Sequence, residues 1–176
     1  MKRSLLLALL VPVVLASPVH SAVDMFLKLD GIKGESKDEK HKDEIEILSF
    51  SWGMTNTPVL GGGGGSGKVS FHDISLVTRL SKASPQLLAA CAGGTNIVSA
   101  TLYVRDSATS TNDYYQIKLE NMQISSLKQS GAKTAGTASD DRPTEEVAFS
   151  FAKITAAHTA EDGTVTTGTA VKPTAP

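Results

Sequence analysis

The chain predicts a mainly β fold, an antiparallel β-barrel or sandwich with one short α-helix. Three observations carry this. Apolar residues alternate at period two in about six or seven short segments. A single segment has helix signals at both ends. No strand–helix–strand unit repeats, so a parallel sheet with crossover helices is not expected. The 176 residues are enough for one domain with its own core.

Residues 23–29 (VDMFLKL) form the first strand candidate, and residues 30–44 (DGIKGESKDEKHKDE) a polar loop of mixed charge. Residues 45–52 (IEILSFSW) alternate, placing Leu48, Phe50 and Trp52 on a core face and Ile45, Ile47, Ser49 and Ser51 on a wetter one. Residues 53–68 are a glycine-rich loop. In the strand candidate 69–77 (VSFHDISLV), Val69 and Phe71 are out of phase with Ile74 and Leu76, which predicts a bulge near His72 and Asp73. The helix starts at Ser84 as N-cap with Pro85 in the first turn, and Gly93 and Gly94 stop it. Residues 97–105 are a strand with Val98, Ala100, Leu102 and Val104 on one side. Residues 114–125 are another, with Tyr115, Ile117 and Leu119 in one phase and Met122 and Ile124 in the next. Residues 128–145 read as a long polar loop. Residues 147–155 then bury Val147, Phe149 and Phe151. Asp162 and Gly163 form a tight hairpin turn between Thr-rich segments, and residues 171–176 a frayed tail.

Residues 1–21 are set apart. Lys2 and Arg3 precede an apolar run, residues 4–16, that is too short to span a bilayer and is interrupted by Pro12. Small residues follow, and a cut after Ser21 places Val19 and Ser21 at the −3 and −1 positions of a secretory signal peptide. An apolar first strand or a misplaced start codon is the weaker reading. Without residues 1–21 the chain keeps 15 basic and 18 acidic side chains, a net charge of −3, which argues against a nucleic-acid partner. No later apolar run is long enough to cross a membrane as a helix. Cys91 is the single cysteine, so no internal disulfide forms, and its neighbours Leu87, Leu88 and Ala92 suit a small buried thiol.

In residues 61–69, GGGGGSGKV, Gly62, Gly67 and Lys68 nearly complete a phosphate-binding loop. Val69 stands where a hydroxyl should reach Mg²⁺, and the next segment alternates as a strand where a helix N-terminus is required. A flexible loop is the better reading. His41, His72 and His158 have no ligand partner at helical spacing, so no metal site is expected. The dipeptide of His72 and Asp73 is too short a match to a phosphohydrolase pair. No G-x-S-x-G elbow occurs, and nothing in the sequence makes Glu145 and Glu146 converge on other carboxylates. The chain reads as a non-enzyme without a cofactor.

Three blocks, in order, resemble the Hcp family of type VI secretion: residues 22–54, opening AVDMFLKLDGIKGES; residues 61–91, from GGGGGSGKVSFHD to LLAAC; and residues 141–154, DRPTEEVAFSFAKI. The resemblance covers most of residues 22–170. It implies an antiparallel barrel that assembles as a homo-hexameric ring. Rings of that family stack into a tube ejected by a sheath, with a spike protein at its tip and effectors in its lumen. On that reading Ser49 and Ser51 are candidates to face the bore. Glu35, Lys37, Gly63 and Lys68, in the two polar loops, are candidates for contact between subunits or rings.

Two features depart from the family. A signal peptide would send the chain to the periplasm, whereas family members leave from the cytoplasm by ejection. Residues 164–176 are Thr- and Ala-rich, without the aromatic run with which many members end. The alternative is therefore an exported periplasmic or extracellular binding module of the same fold that no longer builds a tube.

Overall fold

The computed structural model describes residues 23–57, 67–107, 112–131 and 142–173. Their order is β1 (Val23–Leu29), β2 (Ile45–Ser51), β3 (Met54–Thr57), β4 (Lys68–Phe71), β5 (Ile74–Arg79), α1 (Ser84–Gly93), β6 (Ile97–Asp106), β7 (Asp113–Ser130), β8 (Thr144–Thr159) and β9 (Val165–Val171).

Seven strands form one antiparallel sheet in the order β5-β2-β1-β6-β7-β8-β9, and a further pairing of β5 with β8 closes it. Six strands thus make a barrel, and β9 stays outside as an added edge. One side of β8 is shared: residues 144–149 pair with β5 and residues 153–159 with β9. The expected barrel with one helix is what the chain forms.

The barrel is filled from alternate positions: Leu27 and Leu29, Ile74 and Leu76, Ala100 and Leu102, Ile117 and Leu119, Val147, Phe149 and Phe151 are all buried in one cluster. Leu87 of α1 enters the same cluster beside Ile45, Ile47 and Leu76, so the helix closes part of the barrel. Its first turn differs from expectation. Ala83 is the N-cap, and Ser84 lies inside the helix, its Oγ accepting from Ser81 N–H and donating to the buried carboxylate of Glu145. Gly94 ends the helix in the left-handed region, φ 58°, its N–H directed to Ala90 and Cys91 carbonyls.

Several strand phases depart from simple alternation, each at a local irregularity. The β2–β5 register shifts between Ile47 and Ser49. Ile45 and Ile47 are therefore buried and Leu48 is 39% exposed, which reverses their expected faces; Phe50 and Trp52 do pack on the core. In β7 the predicted change of phase falls at Asn121, whose φ is 51°, so that Leu119 and Met122 both point inward. Val98 is 62% exposed, not core: Ile97 is the buried residue at the start of β6, so the inward phase of Ala100, Leu102 and Val104 does not extend back to Val98.

The strand expected over residues 69–77 is two strands. His72 N–H bonds Gly53 C=O at 3.0 Å, and β4 turns back to pair with β3 as a separate ribbon. Residues 54–57, expected in a loop, are thus β-structure, and residues 58–66 lie outside the described residues. β7 and β8 are also longer than the alternation implied. Gln129 and Ser130 pair with Glu145 and Thr144, which narrows the predicted loop over residues 128–145. At the far end the hairpin turn forms at Gly163, φ 85°, with Asp162 Oδ1 accepting from Thr164 N–H. The ladder reaches Val171 opposite Lys153, and Lys172 N–H still bonds Ala152 C=O.

Candidate functional site

Part of the outer side of β1 and β6 is covered as well as the inner one. Phe26 is buried although it points away from the barrel cluster that holds Leu27 and Leu29. Its cover is the charged loop, residues 30–44. The loop closes on itself through Gly34 N–H to Asp43 C=O, Ser36 N–H to Glu44 C=O and Asp43 N–H to Ser36 C=O. A Cβ on Gly34 would lie 2.1 Å from the Glu44 carbonyl oxygen, so only glycine allows this approach.

His41 and Asp38 are among the loop side chains that reach the barrel. His41 is buried and stacks on Phe26, with centroids 4.5 Å apart and planes 10° apart; Tyr103 tilts against it at 4.8 Å, planes 43° apart. His41 Nδ1 lies 2.9 Å from Glu44 Oε2, and Nε2 lies 3.0 Å from Asp113 Oδ1. Asp38 accepts from Lys40 and His41 backbone N–H groups and binds Arg105 of β6, which also reaches Asp24 of β1. Arg105 lies over the Phe26 ring, 5.2 Å from its centroid.

The charges follow from these contacts. Hydrogen bonding to Arg105 lowers the Asp38 carboxyl to about 2, and the same bond raises Arg105. Burial raises Glu44 despite its bond to His41, and burial likewise raises the Tyr103 hydroxyl. At its other end the loop meets the helix entry: Glu35 Oε1 accepts from Lys82 N–H at 3.1 Å, and Asp43 pairs with Lys33 and Lys82 at the surface.

The candidate residues do not converge on one cavity. Ser49 and Ser51 are exposed on the outer face of β2, opposite Val77 and Ser75 of β5. Glu35 and Lys37 are exposed on the charged loop. Lys68 is exposed on β4, opposite Thr57. Gly63 lies outside the described residues. Lys68 opens a strand, where a phosphate-binding loop would open a helix. Glu145 and Glu146 separate, one buried and the other exposed on the opposite face of β8. Among the described residues no group of three or more His, Cys, Asp or Glu side chains could hold a metal ion, and no helix is long and apolar enough to cross a membrane.

In the sequence His41 reads as a loop histidine, with no sign of its partners. The nearest signal was the run Met25, Phe26, Leu27, in which adjacent apolar residues mark a strand buried on both faces. Nothing in the sequence joins Asp38 to Arg105 or His41 to Asp113.

The chain is similar to several known proteins. A family model described as "Type VI secretion system effector, Hcp" matches residues 26–158. Protein hcp1 of Pseudomonas aeruginosa is 39% identical over 136 residues, covering 76% of this chain and 81% of that protein. The crystal structure of Hcp1 from Salmonella typhimurium aligns with a TM-score of 0.73 at 31% identity, covering 85% of this chain and 95% of that one. The crystal structure of a type VI secretion system effector from Yersinia pestis aligns with a TM-score of 0.71 at 30% identity, covering 85% and 100%.

Proposed function

Because this chain belongs to the Hcp family of type VI secretion proteins, we propose that it is the subunit of homo-hexameric rings that stack into an ejected tube and carry effectors in the lumen. The observation that carries the reading is the match of the whole closed barrel to Hcp structures, with residues 26–158 under the family model. The chain is a secreted protein of type VI secretion, and its role is structural.

The surface of the barrel suits that role. The outer face of β2 and β5 offers Ser49, Ser51 and Ser75, small polar side chains that leave room for cargo in a bore. Glu35 and Lys37 on the charged loop, and Gly63 and Lys68 on the glycine-rich segment, are proposed to meet neighbouring subunits or rings. The spike, the sheath and effectors are the partners proposed by family membership. Residues 1–21 are proposed as a cleaved signal peptide, which would place the exported form in the periplasm; without its use the chain waits in the cytoplasm for ejection.

Purified protein tests this directly. Native mass spectrometry and negative-stain imaging should show a six-membered ring, and N-terminal sequencing of the exported form should start at Ala22. A monomer at high concentration overturns the tube reading.

A further inference from the structure

The contact of His41 with two carboxylates fixes a proton count. Glu44 Oε2 and Asp113 Oδ1 lie at hydrogen-bond distance from the two ring nitrogens, 2.9 and 3.0 Å. An ionised carboxylate only accepts, so two hydrogen bonds need two protons among the three groups. Either the ring is an imidazolium, or a neutral ring faces one protonated carboxyl. With a single proton one ring lone pair would face a carboxylate lone pair. His41 is 3% exposed, so water has little room to relieve that contact.

We propose that His41, Glu44 and Asp113 form a proton-held latch: it keeps loop 30–44 closed on the barrel while the three share two protons, and loosens the loop when one is lost. The loop is held elsewhere as well: Asp30 N–H bonds Ser99 C=O, Glu35 Oε1 accepts from Lys82 N–H, and Asp43 pairs with Lys82. Asp38 is tied to Arg105, and Arg105 also binds Asp24. Lys28 of β1 acts on Glu44, and Tyr103 of β6 feels both Glu44 and Asp113. Lys40 bonds Asn112 beside Asp113. None of these supplies a proton along the two ring contacts. The raised Glu44 carboxyl, pushed up by burial, agrees with a trio that retains a second proton.

The direction is set by the count. Lowering the pH keeps both bonds, because a protonated carboxyl still offers an accepting oxygen; raising it removes one. The latch sets whether Glu35 and Lys37 stand on an ordered or a loosened surface. It depends only on the geometry within one chain, and so stands or falls separately from ring formation.

Asp113→Asn discriminates. Its amide can donate to a bare ring nitrogen or accept from a protonated one, so both bonds survive either state of the ring. Hydrogen exchange of residues 30–44, corrected for intrinsic rates, is measured between pH 6 and 9 on wild type and on Asp113→Asn. Wild-type protection should fall by about tenfold or more as pH rises, the loss of one hydrogen bond to a charged group, while the variant changes far less. Should Asp113→Asn not fold, Glu44→Gln serves by the same logic at Nδ1. Constant wild-type protection, or an equal fall in the variant, overturns the latch.

Discussion

Arg105 of β6 holds Asp38, 67 residues away, by a two-pronged contact: Nη1 lies 3.3 Å from Oδ1 and Nη2 lies 2.5 Å from Oδ2. The pair joins the charged loop to the outside of the barrel, and its acid sensitivity follows from the Asp38 carboxyl. That group titrates near 3.8 when unperturbed and about 2 here. A depressed carboxyl stabilises the fold above its unfolded value and loses that contribution as pH falls through the folded one. The contribution, discounted for screening of a partly exposed pair, is about 1 kcal/mol. Urea denaturation should therefore find Asp38→Asn weaker than wild type at pH 5, with the gap closing toward pH 2. A gap that persists unchanged at pH 2 would contradict the assignment.

Glu145 is fully buried at the start of β8, its two oxygens bound by Ser84 Oγ at 3.1 Å and Gln129 Nε2 at 2.7 Å. Glu145→Ala would leave the buried Ser84 hydroxyl without its acceptor and open a cavity beside α1. The expected loss is about 2–4 kcal/mol. Glu145→Gln keeps the shape and should cost less. Thermal unfolding of both variants checks this; equal stability of wild type and Glu145→Ala would show that the carboxylate contributes nothing.

Gly34→Ala meets backbone, since the Glu44 carbonyl oxygen lies 2.1 Å from the added Cβ. No side chain can swing aside to relieve it. The cost should be about 2 kcal/mol and confined to the loop. Trypsin should then cut after Lys37, Lys40 or Lys42 faster than in wild type, while far-ultraviolet circular dichroism of the barrel stays the same. Unchanged cleavage would mean that the loop tolerates the methyl.

Ser51→Gln tests the bore. If Ser51 faces the lumen, the longer side chain should weaken retention of a co-expressed effector several-fold while rings still assemble, as read by pull-down and negative stain. Unchanged retention removes Ser51 from the bore. Loss of rings would place it in a subunit contact instead.

The sequence by itself determined the kind of fold and much of its inventory. Period-two alternation marks residues 23–29, 97–105 and 147–155, and proline and glycine bracket the helix from Ser84 to Gly93. These signals are local: each depends on residues two to four apart, and the backbone geometry of a strand or helix translates them directly. Three matching blocks also carried the family.

Tertiary structure decided what depends on pairing across the chain. The β2–β5 register shift turned Ile45 and Ile47 inward; alternation assumes an unbroken pleat, and a single irregularity reverses every face beyond it. Met54–Thr57 became a strand because Lys68–Phe71 returned to pair with it. His41 became a buried bridge because Phe26, Tyr103 and Asp113, on three separate strands, meet beneath the loop. A loop rich in charge reads as solvated in one dimension. Only closure of the barrel brings together the aromatic and acidic groups that bury its histidine.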